Sequence, residues 1–149
     1  MGLIDLASGK SLWRGYEYYL EKHVLSHTKT GENGYDGRVA GNNKIYDVHI
    51  DLAHPRKSKC SCPHAAGRRI ICKHMVSLYF TVIPKEAERY YKEVVEYEEE
   101  QERELCEIDN KIIDYLKRSS KSELEDDLYN LLYECPEWLF YRFISQHID

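Results

Sequence analysis

The chain has 149 residues, 42% hydrophobic and 32% charged, enough apolar material for one domain core with a small appended unit and too much for wholesale disorder. No apolar run approaches the ~20 residues that cross a bilayer, no basic segment followed by an apolar stretch opens the chain, and Leu6 stands where N-myristoylation wants Ser or Thr, so neither a membrane protein nor a secreted one is expected. The net charge of −5 is unevenly spread: residues 1–83 carry 12 Lys/Arg and 7 Asp/Glu (net +5), and residues 84–149 carry 9 and 19 (net −10).

Leu12, Trp13, Tyr16, Tyr19 and Leu20 recur at three- and four-residue spacing, which predicts a helix over 11–22 capped by Ser8 or Ser11. A β-rich part follows. Residues 24–28 and 35–40 read as strands joined by Gly31-Glu32-Asn33-Gly34, and Gly41-Asn42-Asn43 is a second turn. The clearest strand is 45–52, where Tyr46, Val48, Ile50 and Leu52 alternate with Asp47, His49 and Asp51. His49 falls on its wet face, and His54 reads as a loop residue.

Residues 52–85 contain no acidic side chain but hold Arg56, Lys57, Lys59, Arg68, Arg69, Lys73 and Lys85. Surfaces normally intersperse both signs, so this run predicts a basic face on an otherwise acidic protein. Inside it lies Cys60-Ser61-Cys62, and nine residues later Cys72-Lys73-His74. An odd total of five cysteines argues against a disulfide framework. Two close pairs of N/S donors joined by a short loop are what a tetrahedral zinc site needs, and Gly67 offers a turn that lets the second pair fold back. The predicted ligands are Cys60, Cys62, Cys72 and His74, with His64 a competing donor. Neighbouring cations favour the thiolates that metal binding requires. Three thiolates and one zinc ion leave the site near −1, which gives part of the basic run a purely structural reason.

Residues 73–83 read as a short helix with Met75, Leu78, Tyr79 and Val82 on its apolar face. Pro84 interrupts it and suits the first turn of another, predicted over 85–117. That helix carries one stripe at Tyr90, Tyr91, Val94, Val95 and Tyr97 and a second at Leu105, Ile108, Ile112, Tyr115 and Leu116. The polar run 98–104 between them reads as solvent-bridging or weak, hence as a boundary between two units. Ser120-Lys121-Ser122-Glu123 is a capping box before Leu124, Leu128, Leu131 and Leu132. Pro136 opens a last helix with Trp138, Leu139, Phe140, Phe143 and Ile144. These aromatics are expected to form the core of a small helical bundle on the long helix. Cys106 and Cys135 have no partner motif and read as structural.

The Cys-x-Cys and Cys-x-His pairs resemble the signature of the SWIM zinc-finger family, strongly over 45–83. The upstream Arg14-Gly15-x-x-Tyr18-Tyr19 is similar to that family's more loosely. The family's recombination-linked subgroup extends its motif to Cys-x-His-x-x-Ala, and Ser77 occupies that last position here. The resemblance implies a ββα zinc fold, with Cys60 and Cys62 on the hairpin and Cys72 and His74 at the helix start. It also implies a DNA-binding or protein-interaction unit of the kind that accompanies Swi/Snf-type helicases, transposases and partners of recombinase paralogues.

The expectation is therefore an α+β protein with a small antiparallel sheet, a ββα zinc finger and a C-terminal helical segment. Residues 1–97 form the zinc-binding domain (finger core 45–83), and 98–149 the C-terminal unit. One structural zinc is expected, because four protein ligands leave no open position for substrate. Neither a small-molecule substrate nor an enzymatic activity is expected: a zinc hydrolase needs a nearby carboxylate base, and 52–85 supplies none. Nucleic acid, DNA first, would be bound through Arg56, Lys57, Lys59, Arg68, Arg69 and Lys73. The alternative is an adaptor that docks a DNA-processing enzyme (helicase, transposase or recombinase paralogue) through its acidic and aromatic C-terminal helices. An intracellular location, cytoplasmic or nucleoid/nuclear, goes with either.

Overall fold

A computed structural model describes residues 2–148. Helix α1 (Gly9–Leu20) leads into strands β1 (Val24–Thr30), β2 (Gly34–Ala40), β3 (Ile45–Asp51) and the short β4 (Lys59–Cys60). Helices α2 (Lys73–Val82), α3 (Pro84–Arg118), α4 (Lys121–Glu134) and α5 (Glu137–His147) follow. Single 3-10 turns at Ile4–Leu6 and Pro55–Lys57 complete the elements. The four strands form one antiparallel sheet in the order β1-β2-β3-β4. The fold is thus α+β, with the C-terminal segment helical.

The chain divides into two compact units, Met1–Val94 and Val95–Asp149. In the first, α2 packs on α1 and on the sheet. That placement explains a difference from the sequence pattern, which assigned α2 one apolar face. Every residue from His74 to Phe80 is buried, because one side of the helix meets α1 and the other meets the strands. Complete burial of Met75, Leu78 and Phe80 contributes about 1.5–3 kcal/mol each. Tyr16 of α1 packs edge-on against Phe80 at 6.0 Å and stacks on Tyr91 at 5.6 Å. Ser8 is the N-cap of α1, its hydroxyl accepting from the Ser11 N–H at 3.2 Å.

The second unit follows the expected helices but not the expected core. Helix α3 is continuous through 98–104, since a run of Glu, Gln and Arg has good helix propensity even where no apolar face supports it. The capping box forms as read, with Ser120 and Glu123 exchanging backbone contacts. The expected aromatic core does not form. Among the described residues no side chain after Ala87 is buried, and Trp138, Tyr133 and Leu131 are 65%, 68% and 61% exposed. Each helix has an apolar face, and the faces stay exposed instead of enclosing one another. No helix among the described residues is long and apolar enough to cross a membrane.

Candidate metal centre and basic groove

The finger is built from the edge of the sheet. Cys60 ends β4 opposite Val48 of β3. The Ser61 N–H donates to the Asp47 carbonyl, and the Asp47 N–H to the Ser61 hydroxyl, both at 3.0 Å. This double contact fixes the direction in which Cys60 and Cys62 leave the sheet. Two tight turns then return the chain. The Cys62 carbonyl accepts from the Ala65 and Ala66 N–H groups, and Gly67 takes φ +71°, the left-handed conformation that glycine adopts most cheaply. Ile71 bridges to Ala7, and Cys72 is the N-cap residue of α2. His74 follows in its first turn.

These turns bring Cys60, Cys62, Cys72 and His74 together. One donor atom from each lies within 4.8 Å of all the others, and all four residues are buried. The imidazole Nδ1 is 3.7 Å from the Cys60 sulfur and 3.9 Å from the Cys72 sulfur. Zinc bonds of ~2.3 Å to sulfur and ~2.0–2.1 Å to nitrogen at tetrahedral angles separate S and N by about 3.6 Å. The donor set therefore fits one structural zinc ion with Nδ1 as its nitrogen ligand. His64 is exposed and outside the cluster.

The thiols are paired electrostatically. Cys72 is pulled down to about 4, first by the Cys60 thiol donating to it and then by His74 and the Met75 N–H, against the opposing effect of burial. Cys60 is pushed up by the same hydrogen bond and by burial. The Cys72 thiolate is thus favoured beside the Cys60 thiol, and a zinc ion held by these residues would require every ligating thiol to give up its proton.

Aromatic rings wall the histidine. Tyr46 of β3 lies 4.7 Å from the His74 ring, and Tyr18 of α1 meets it edge-on at 5.6 Å. The sequence puts Tyr18 in the looser family pattern and Tyr46 in the alternating strand, and neither signal points to the ligand. Ser77 is fully buried, and its hydroxyl donates to the His74 carbonyl at 3.0 Å. A polar group is thus accommodated at that position without an unpaired donor.

Five of the six predicted nucleic-acid contacts line one groove of about 1380 Å³ between the outer face of the sheet and the zinc loop: Arg56, Lys57, Lys59, Arg68 and Arg69. Arg38 of β2 joins them from a position the charge run did not reveal, because it lies outside 52–85. Asp36, Asp47 and Asp51 also line the groove. Asp36 is 2.6 Å from His49 Nδ1, and Asp51 accepts from the His54 N–H at 2.7 Å, which holds its carboxyl below the usual range. Lys73 is not in this groove. Its ammonium donates to the Tyr18 hydroxyl at 2.5 Å and lies over that ring, 4.1 Å from the centroid.

No curated protein and no solved structure matches the chain. Residues 46–83, which run from Tyr46 through all four clustered donors to the end of α2, match the SWIM zinc finger family, and this segment is the chain's zinc-binding module.

Proposed function

We propose that the zinc finger binds nucleic acid, DNA first, through the groove beside its metal loop. The observation that carries this reading is convergence: Arg38, Arg56, Lys57, Lys59, Arg68 and Arg69, from two strands and two loops, line one concave surface against three carboxylates. Four ligands close the metal, so zinc acts by holding the loop that presents Arg68 and Arg69. Contacts of this kind go to phosphates and fix position without reading sequence. The test is fluorescence anisotropy of a labelled 20-base-pair duplex between 50 and 300 mM salt. With three to five phosphate contacts, log K falls against log salt with a slope of roughly −3 to −5. Replacing Arg68 and Arg69 by alanine reduces that slope by about 2. A flat salt response, or no binding at 50 mM salt, overturns the reading.

One observation favours a protein partner as well. Among the described residues of the C-terminal unit fifteen large apolar side chains are exposed, Leu105, Ile108, Trp138 and Tyr141 among them. That unit carries 16 Asp/Glu against 6 Lys/Arg. Exposed apolar side chains on a strongly acidic unit suit a basic, apolar-faced segment of a DNA-processing enzyme such as a helicase, transposase or recombinase paralogue. Truncation after Glu98 separates the two readings: DNA binding survives it, and partner binding does not.

A further inference from the structure

A second cavity, of about 360 Å³, lies on the finger unit and shares no lining residue with the groove. It is formed where the first turns of α1 meet the zinc loop and the start of α2. Its walls are Lys10, Arg14 and Lys73, with Ser8, Ser11 and His64, over a floor of Cys62, Cys72 and His74. No carboxylate lines it. We propose that this cavity is a phosphate-group site, distinct from the groove.

Three observations support the assignment. Lys10 and Arg14 are one helical turn apart, so both side chains leave α1 on the same face. Lys73 comes from another element, and its ammonium is already held by the Tyr18 hydroxyl and ring, so little side-chain freedom is lost when an anion arrives. The two serines leave one hydroxyl donor for the cavity. Ser8 spends its hydroxyl proton on the Ser11 oxygen at 3.1 Å, which leaves the Ser11 O–H to donate into the cavity. Guanidinium, ammonium and hydroxyl donors match a phosphoryl oxyanion, and the three cations outweigh the charge of about −1 that three thiolates and one zinc ion leave on the floor. The volume sits at the lower end of small-ligand pockets, room for one phosphate with water or for a nucleoside monophosphate.

The phosphate has two possible sources. It is a backbone phosphate of a nucleic acid that also occupies the groove, or a free phosphate or mononucleotide. The first rests on the nucleic-acid reading above, and the second does not. The experiment uses the zinc-loaded full chain and the double variant Lys10→Ala/Arg14→Ala. Both positions are exposed and neither is a zinc ligand, and zinc content by mass spectrometry confirms that the variant is folded. Thermal unfolding is followed with inorganic phosphate against chloride at equal ionic strength, and duplex anisotropy is measured across the same salt series.

A melting temperature raised by phosphate in the wild type and not in the variant establishes the site. A salt slope about 2 shallower in the variant, with weaker binding at 50 mM salt, identifies the source as a nucleic-acid backbone. An unchanged slope together with the lost phosphate response identifies it as free phosphate. If no duplex binds at all while the phosphate response behaves as stated, the groove reading fails and the cavity stands. Should the variant match the wild type in both measurements, the proposal is overturned, and the three cations serve only to offset thiolate charge.

Discussion

At the scale of single residues the histidine ligand governs most of the chemistry. A metal-bound imidazole normally hands its second N–H to a carboxylate or carbonyl. Here His74 Nε2 is buried and has no hydrogen-bond partner, so ring packing orients the ligand instead. Tyr46 supplies one wall, and Gly41 leaves the space for it. A Cβ at Gly41 would lie 2.5 Å from Tyr46 Cε2 and 3.2 Å from His74 Nε2. Gly41→Ala therefore pushes Tyr46 against the ligand. The expected outcome is zinc affinity lower by about 10-fold to 100-fold, the range seen when outer-shell supports are lost, measured by chelator competition. An unchanged affinity would mean that Tyr46 moves freely and does not position His74. A second residue contributes to stability at alkaline pH. Burial, and then the negative charge of Glu86, raise Tyr79 to about 12, and its hydroxyl donates to the Glu86 carboxylate at 3.3 Å. The raised value means that folding favours the protonated phenol. That contribution is complete below pH 10, the unfolded tyrosine's range, and is lost as the pH climbs through about 12. Urea unfolding between pH 9 and 12 should show wild-type stability falling more steeply than that of Tyr79→Phe.

At the scale of elements, contacts between helices decide what the hydropathy pattern leaves open. Gly15 lies where α1 crosses α2: a Cβ there would sit 2.5 Å from Val76 Cβ and 3.0 Å from the Lys73 carbonyl. Gly15→Ala overpacks this contact and costs about 1–3 kcal/mol, against the few tenths to 1 kcal/mol that alanine normally gains in a helix. Combining it with Val76→Ala recovers part of that loss, and a double-mutant cycle by urea unfolding measures how much. In α4, Ser120→Ala removes the hydroxyl that accepts from the Glu123 N–H, leaves the backbone N–H that donates to the Glu123 carboxylate, and costs that helix about 0.5–2 kcal/mol, read as lost helicity by circular dichroism with zinc content unchanged. These elements also show what the sequence could reveal. The alternation over 45–52, the glycine turns, the Ser120 box and the Cys/His spacing are local signals, and each corresponds to an observed feature. Burial of Val76, Ser77 and Phe80 was not legible, because it depends on a second layer that a single helix pattern does not contain. Arg38 and Lys10 were missed for a related reason: they join basic surfaces only after the strands and α1 have packed. The C-terminal aromatics were misread as core because amphipathic spacing states which face is apolar and not whether anything covers it.

At the scale of the whole chain, metal and unit boundaries carry the energetics. Structural zinc is worth on the order of 10–16 kcal/mol in apparent binding free energy, while a domain's net stability is about 5–15 kcal/mol. Loss of zinc is therefore comparable to loss of the finger unit's entire stability, so a strong chelator should abolish its cooperative thermal transition and readdition of zinc should restore it. A transition unmoved by chelation would show that the core of Phe80, Leu78, Met75 and Ile50 holds without the metal. The two units differ in kind as well as in charge. Every buried side chain among the described residues lies at or before Ala87, whereas the second unit exposes fifteen large apolar side chains. A chain ending at Val94 removes no buried group, so it should retain one zinc and melt within about 4 °C of the full chain, a shift of less than about 1 kcal/mol for a domain of this size. The same truncation removes most of the exposed apolar surface. A dye that fluoresces on hydrophobic patches should therefore lose more than half of its signal. If the shortened chain instead loses zinc or fails to melt cooperatively, the finger depends on the acidic helices for its fold, and the two units are one.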